Sequence, residues 1–261
     1  MPTPDPIAFT IFHIDIMWYA IVICFGIIIA TLLCCHRAPA HDLTSDRILN
    51  FVIICIPAGI IGARLYYVLF HLSWYAGDFL KIINTRAGGL AIHGGLIAGI
   101  GTALILCAIW KIRPLNLLDL AAPSIAIAQS IGRWGNYFNS EAHGGPTDLP
   151  WAITVDGQSV HPTFLYESIW CFLLCLFLLW MDSRHRAFEG QIILLYGMLY
   201  SLERFFVEAL RTDSLMIGPF KQAQVISLTI FVLCAIAYVV LSRRNRQNRK
   251  GNQKHQKKSR S

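Results

Sequence analysis

The sequence predicts an all-α polytopic membrane protein of seven transmembrane helices, with a small extracytoplasmic element that contains a short β-hairpin. Three observations carry that prediction. Of 261 residues, 55% are hydrophobic and only 14% are charged, whereas an average soluble domain has roughly 25% charged residues. Mean hydropathy is +0.53. Apolar runs of the length a bilayer crossing needs, about 20 residues, recur seven times along the chain.

The runs fall at about residues 17 to 35, 48 to 71, 90 to 110, 115 to 132, 163 to 181, 190 to 210 and 222 to 242, and define one transmembrane domain over residues 1 to 242. The first ends near APA at residues 38 to 40, which has the form of a signal-peptidase site. No basic residue precedes it, however, Asp5 and Asp15 stand on its approach, and it is longer than the core of a signal peptide. A retained first helix is therefore expected. The fourth run is short and carries Pro123. Residues 133 to 162 form the longest connection, in which PWAITVDGQSVHP joins β-prone residues to Asp156-Gly157, a pair suited to a tight hairpin turn. No repeat of 20 to 50 residues is visible.

Beyond the last run, residues 243 to 261 hold Arg243, Arg244, Arg246, Arg249, Lys250, Lys254, Lys257, Lys258 and Arg260 and no acid, and a disordered cytoplasmic tail is expected there. With those nine set aside, 13 of the 22 basic residues remain against 15 acidic ones, so the net charge of +7 describes the tail. A polybasic stretch just past a membrane helix marks the cytoplasmic side and meets anionic membrane lipid. Nucleic acid is not expected as a partner. With the N-terminus outside, the inner connections hold Arg37, Arg47, Lys111, Arg113, Arg184 and Arg186, and the outer ones hold Lys81, Arg86, Arg133, Arg211 and Lys221. That contrast is six to five, so the tail decides the orientation and places residues 133 to 162 outside the cytoplasm.

All eight cysteines lie inside or at the ends of apolar segments and no CxxC pair occurs. Neither a disulfide framework nor a zinc site is expected. No metal and no cofactor is called for.

Ionisable residues at bilayer depth cost about 2.5 to 3.5 kcal/mol on insertion scales and usually serve a function. Four places break the apolar pattern. In YSLERFFVEALR, Tyr200, Arg204, Glu208 and Arg211 follow helical spacing and share one face. An Arg204 and Glu208 ion pair would tie helices together, whereas the polar wall of a cavity would use all four residues. In LAIHGGLIAGIG, His93 enters a glycine-rich helix; it either bonds a neighbour or moves a proton. Arg64, midway along the second run, is either structural or part of a positive cavity. Finally GRWGNYFNSEAHGG gathers Arg133, Asn136, Asn139 and Glu141 ahead of Gly144-Gly145, with HPTFLYE (His161, Pro162, Tyr166, Glu167) across the connection. A capped helix end would not need so many polar groups.

Arginines in several segments point to an anion, because guanidinium grips phosphate through paired hydrogen bonds. In a membrane the abundant anions are phospholipid head groups. The sequence has no HExxH, GxSxG or P-loop. An enzyme here must use a base and positive charge alone, or take its nucleophile from a substrate. A transporter of an anionic solute would also place arginines at depth, but it predicts paired broken helices, and the two halves show none.

Quoted together, GRWGNYFNSEAHG, HGGL with His93, HPTFLYE and the spacing YxxxRFxxExxR resemble, in order, motifs of the bacterial prolipoprotein diacylglyceryl transferases, whose hallmark stretch reads GRxGNFxNxExxG. The likeness runs from the first helix to about residue 242. Tyr137-Phe138 and Ala142-His143 occupy variable positions of the hallmark, and the basic tail lies beyond the family core. The resemblance implies a seven-helix enzyme of the bacterial cytoplasmic (inner) membrane, N-terminus outside and C-terminus in the cytoplasm. Such an enzyme moves the diacylglyceryl group of phosphatidylglycerol to the lipobox cysteine of a prolipoprotein signal peptide. It forms a thioether and releases glycerol phosphate, the first step of lipoprotein maturation. The nucleophile is then the substrate's own.

Carried over position by position, the resemblance marks Tyr19, His93, Arg133, Asn136, Glu141, Gly144, Tyr200, Arg204, Glu208 and Arg211. Of these His93, Arg133, Arg204, Tyr19 and Glu208 are the implied catalytic set. Arg133, Asn136, Tyr200, Arg204, Glu141, Gly144 and Arg211 are the implied phosphatidylglycerol-binding set. In that reading Arg133 and Arg204 hold the phosphate and stabilise the charge that builds as the carbon to oxygen bond breaks. Asn136 and Tyr200 orient the head group, Glu208 fixes an arginine, and His93 is the candidate base for a thiol of ordinary pKa about 8.5. A positive cavity alone would also lower a thiol pKa, so the base stays open. Gly144-Gly145 is expected as a hinge, with His93 and the Tyr200 to Arg211 stripe facing the hallmark.

Overall fold

Lipid offers the backbone no hydrogen-bond partners, so the apolar runs fold as helices that satisfy their own amides and carbonyls. The computed structural model describes residues 5–75, 77–85, 88–212 and 214–258. Arg86 and Arg260, counted above among the connection and tail charges, lie outside the described residues. Strands β1 (Ile7–Ile11) and β2 (Ile14–Met17) pair antiparallel ahead of helix α1 (Trp18–Arg37). A 3-10 turn, Ala38–His41, leads into α2 (Ser45–Phe70). Short helices α3 (Leu72–Tyr75) and α4 (Phe79–Ile83) precede α5 (Ile92–Trp110) and α6 (Pro114–Phe138). A hairpin of β3 (Ile153–Val155) and β4 (Gln158–Val160) follows, then α7 (Thr163–His185) and α8 (Gln191–Leu210). A minimal hairpin, β5 (Met216–Ile217) with β6 (Phe220–Lys221), precedes α9 (Gln222–Lys258).

Among the described residues six helical stretches are long and apolar enough to cross a membrane: Trp18–His41, Ser45–Phe70, Ile92–Trp110, Pro114–Phe138, Thr163–His185 and Gln222–Asn248. The chain is thus a mostly helical multi-pass membrane protein. Helix α8 has 20 residues, the length of a crossing, but Glu203, Arg204 and Glu208 interrupt its apolar character.

Two boundaries and two hairpins differ from the sequence reading. Helix α6 persists through Pro123 to Phe138, so residues 133 to 138 are its last turns and the long connection starts at 139 rather than 133. Those polar turns stay helical because their side chains find partners, as described below. Helix α9 continues past residue 242 to Lys258. Lys, Arg and Gln are good helix formers, and the preceding span supplies the nucleus. The β1 to β2 and β5 to β6 hairpins were not expected. The first turns at Phe12 (φ 47°) and His13 (φ 63°), residues that carry no turn signal. The expected hairpin does form, with Asp156 (φ 50°) and Gly157 (φ 78°) at its two-residue turn.

The chain divides into two compact units, Cys34–Leu117 and Met1–Leu33 with Leu118–Ser261. In the first, α2 and α5 meet through small residues: a Cβ on Gly62 would lie 2.7 Å from the carbonyl oxygen of Gly94, and one on Gly95 would lie 3.4 Å from that of Gly59. Absent side chains let the two backbones approach, the usual route to helix contact in lipid. Phe51, Leu106 and Cys107 close the far end of this pair. Arg64 is structural. Its guanidinium donates to the carbonyls of Lys81 (2.6 Å), Ile82 (2.8 Å), Gly88 (2.9 Å) and Gly89 (2.8 Å), and stands 5.0 Å from the Tyr75 ring centre. It therefore binds the α4 connection to α2.

In the second unit, Ala122, Ala126, Leu174, Cys175, Leu178 and Ile192 form a core shared by α6, α7 and α8. Ser130 and Ser168 each donate to the other's carbonyl at 2.8 Å, a reciprocal link between α6 and α7. Buried Asp119 of α6 accepts from the amides of Gly190 (2.8 Å), Ile192 (2.9 Å) and Ile193 (3.0 Å), so an anion from a neighbouring helix caps the positive end of α8. At the other end of α8, Lys221 Nζ donates to the carbonyls of Glu208 (2.8 Å), Ala209 (3.2 Å) and Arg211 (2.6 Å).

Candidate active site

Three helices of this second unit bring their charged residues to one chain of contacts. Near the end of α6, Arg133 Nε lies 2.6 Å from Glu167 Oε2, and its Nη2 donates to the Tyr200 hydroxyl at 3.1 Å. Glu167, in the second turn of α7, gives its other oxygen to Arg204 Nη1 at 2.5 Å. Arg204 Nη2 in turn reaches Glu208 Oε2 at 2.7 Å, and Arg211 Nε stands 4.0 Å from the same oxygen. Glu167 is only 2% exposed, while the arginine side chains retain 19% and 18% exposure at Arg133 and Arg204. The carboxylates lie inward and the guanidinium groups rim them.

The helical spacing of Tyr200, Arg204, Glu208 and Arg211 accounts for half of this arrangement. The other half is Glu167, which the sequence reading notes within HPTFLYE but assigns no role. Its signal is present in hindsight: two arginines at depth on different helices need an anion between them, and HPTFLYE opens the helix packed against both. Glu203 is the second residue missed. It is buried, and neither carboxylate oxygen has a hydrogen-bond partner among the described residues.

The hallmark stretch is held to the same chain by its backbone. Gly144 donates to the carbonyl of His161 at 2.9 Å and Gly145 to that of Leu210 at 3.0 Å, while His161 donates back to Gly145 at 3.0 Å. Gly144 also pairs with Arg211 as an isolated antiparallel bridge. A Cβ on Gly144 would lie 2.6 Å from His161 Cβ and 3.2 Å from the Leu210 carbonyl oxygen. Gly144 is therefore a close-packed joint. Thr163 caps the nearby backbone by donating to the carbonyl of Ala142.

Tyr19 joins the same unit: its ring packs on Gly135 of α6, where an added Cβ would come within 2.7 Å of the ring. Beside it Trp18 stacks on Phe138 with ring centres 5.3 Å apart. Asn136 is half-buried and its carbonyl accepts from the amide of Glu141 at 3.0 Å, whereas the Glu141 side chain is exposed and accepts from Asn139 at 3.3 Å. His93 belongs to the other unit, in the first turn of α5, exposed within the chain and 6.3 Å from Tyr66 between ring centres.

Chemically, Arg133, Arg204, Arg211 and Lys221 outnumber the carboxylates by four to three: Glu167 and Glu208 contact the arginines, and Glu203 is close enough to interact with Arg133 and Arg204. The cluster is positive, part-exposed on the arginine side and rigidly framed. That combination suits a monoanionic phosphodiester, and it suits still better the second negative charge that appears when such an ester is cleaved. Among the described residues no group of three or more His, Cys, Asp or Glu side chains is placed to hold a metal ion.

The family model described as prolipoprotein diacylglyceryl transferase matches residues 6–240. A relative from Clostridioides difficile (strain 630) is 51% identical over 244 residues, covering 94% of this chain and 98% of its own. Relatives from Finegoldia magna and Clostridium novyi (strain NT) are 45% and 44% identical, over 90% and 91% of this chain and 95% and 96% of theirs. All three carry the name phosphatidylglycerol--prolipoprotein diacylglyceryl transferase. With a match that spans nearly the whole chain and holds the hallmark, the arginine stripe and the Glu167 helix together, the chain belongs to the prolipoprotein diacylglyceryl transferase family.

Proposed function

We propose that the protein transfers the diacylglyceryl group of phosphatidylglycerol to the lipobox cysteine of prolipoproteins in the bacterial cytoplasmic membrane. The observation that carries this reading is the Arg133, Glu167, Arg204 and Glu208 chain, a positive rim over buried carboxylates in a protein of this family. In the reaction the cysteine sulfur bonds to the glyceryl carbon as the bond from that carbon to the phosphate oxygen breaks. Glycerol phosphate departs with the electron pair, and the thiol proton passes to a base.

Arg133 and Arg204 grip the phosphate in two-pronged fashion and take up its growing charge, while Glu167 keeps both guanidinium groups in register. Tyr200 orients Arg133, Glu208 steadies Arg204, and Arg211 extends the positive field. Tyr19, Asn136, Glu141 and Gly144 shape the head-group surroundings. His93 is the proposed base. Helix α8 is the seventh crossing, its Arg204 and Glu208 tolerated because they are paired. The N-terminus lies outside and residues 139 to 162 form the extracytoplasmic element, with α9 ending in the cytoplasm.

Reconstitution with phosphatidylglycerol and a lipobox peptide, read by mass spectrometry, tests the reaction. A diacylglyceryl thioether together with released glycerol phosphate is expected; absence of both, where a known transferase works, overturns it. His93→Gln should lose activity, and near-normal turnover would remove His93 as an essential base.

A further inference from the structure

The Cys34–Leu117 unit holds a cavity of about 320 Å³ whose lining includes His41, Asp42, Arg47, Lys111, Arg113 and Asn116. This volume is at the low end of small-molecule sites, about 300 Å³ and upward. Three cations converge on it from two separate connections: Arg47 from the first turn of α2, and Lys111 and Arg113 from the turn between α5 and α6. Asp42 is the only carboxylate in the lining.

The frame is fixed from both sides. Asn116 Nδ2 donates to the carbonyl of His41 at 2.7 Å, its Oδ1 lies 3.1 Å from His41 Nδ1, and both residues are buried. Trp110 packs edge-on against Phe51 at 4.9 Å, and its face carries the Arg47 guanidinium at 5.0 Å. Arg47 is thereby held at the cavity wall on an aromatic platform.

Its place in the fold defines the ligand. The lining comes from the connections that leave α1, enter α2, leave α5 and enter α6. If those helices cross the bilayer, all four ends emerge on one membrane face, at the depth of phospholipid phosphates. We propose that this cavity is a second phosphate-ester site, occupied by the head group of an anionic phospholipid in the leaflet on that side.

The test compares wild type with the triple variant Arg47→Gln, Lys111→Gln, Arg113→Gln in detergent, by native mass spectrometry against phosphatidylglycerol, phosphatidylcholine and inorganic phosphate. Wild type should retain one more phosphatidylglycerol than the variant, with affinity falling about fivefold for each charge removed. Phosphatidylcholine should not distinguish the two proteins. Equal retention of phosphatidylglycerol by both overturns the proposal. Saturable phosphate binding by wild type, without preferential lipid retention, overturns the lipid as occupant and assigns the site to a free phosphate ester. If the triple variant does not elute as a single species, Arg47→Lys with Arg113→Lys should keep the lipid, and Asp42→Asn should bind it more tightly; failure of both also overturns the proposal.

Discussion

Arg133 and Glu167 meet at 2.6 Å, nitrogen to oxygen, and the carboxylate also serves Arg204 with its second oxygen. One buried anion thus spaces two guanidinium groups from different helices. Glu167→Gln removes the charge and keeps the shape. Thioether formation should fall by about a hundredfold, the scale of a misplacement near 1 Å. Thermal unfolding in detergent should also register the loss, since stripping one partner from a buried pair costs about 3 to 5 kcal/mol in soluble proteins. Unchanged turnover would separate Glu167 from the reaction.

Arg133→Lys preserves the positive charge but cannot reach Glu167 and the Tyr200 hydroxyl at once. A fall in kcat of about 10²-fold or more is expected, comparable to loss of one transition-state donor. The protein should remain folded in the membrane. Steady-state kinetics with phosphatidylglycerol decide the matter, and a change confined to KM would assign Arg133 to ground-state binding only.

Gly144→Ala tests the joint between the hallmark stretch and the end of α8. Its methyl would collide with His161 Cβ and crowd the Leu210 carbonyl, an overpacking worth about 1 to 3 kcal/mol. A lowered Tm with a matching loss of activity is expected, because Arg211 is bridged to this glycine. A hinge would instead show altered turnover at unchanged Tm.

Glu203 makes an opposite case. Its buried oxygens have no hydrogen-bond partner among the described residues, so Glu203→Leu should leave the Tm unchanged or raise it, by as much as about 1 to 3 kcal/mol of stability. A clear loss of stability would mean that the carboxylate is paired in the membrane.

How much of this was legible depends on the range of the interaction. The long helices follow from apolar runs, and the β3 to β4 hairpin follows from Asp156-Gly157, both local signals. The Tyr200 to Arg211 stripe is likewise local, since it lies along a single helix and its C-cap. Glu167 is not, because its meaning comes from two arginines 34 and 37 residues away that only folding brings to it. The role of Arg64 stays open in the sequence for the same reason: its partners are carbonyls of a connection, which leave no mark in side-chain pattern. The β1 to β2 turn at Phe12 and His13 lacks any glycine or asparagine to announce it.

Helix α8 is tied at its start by three amides on Asp119 and at its end by three carbonyls on Lys221. Sliding it along its axis by even one turn, about 5.4 Å, would break both sets together. The rod that presents Tyr200, Arg204 and Glu208 is thus a beam fixed at both supports. The side chains of its charged face therefore keep a fixed register along the helix axis.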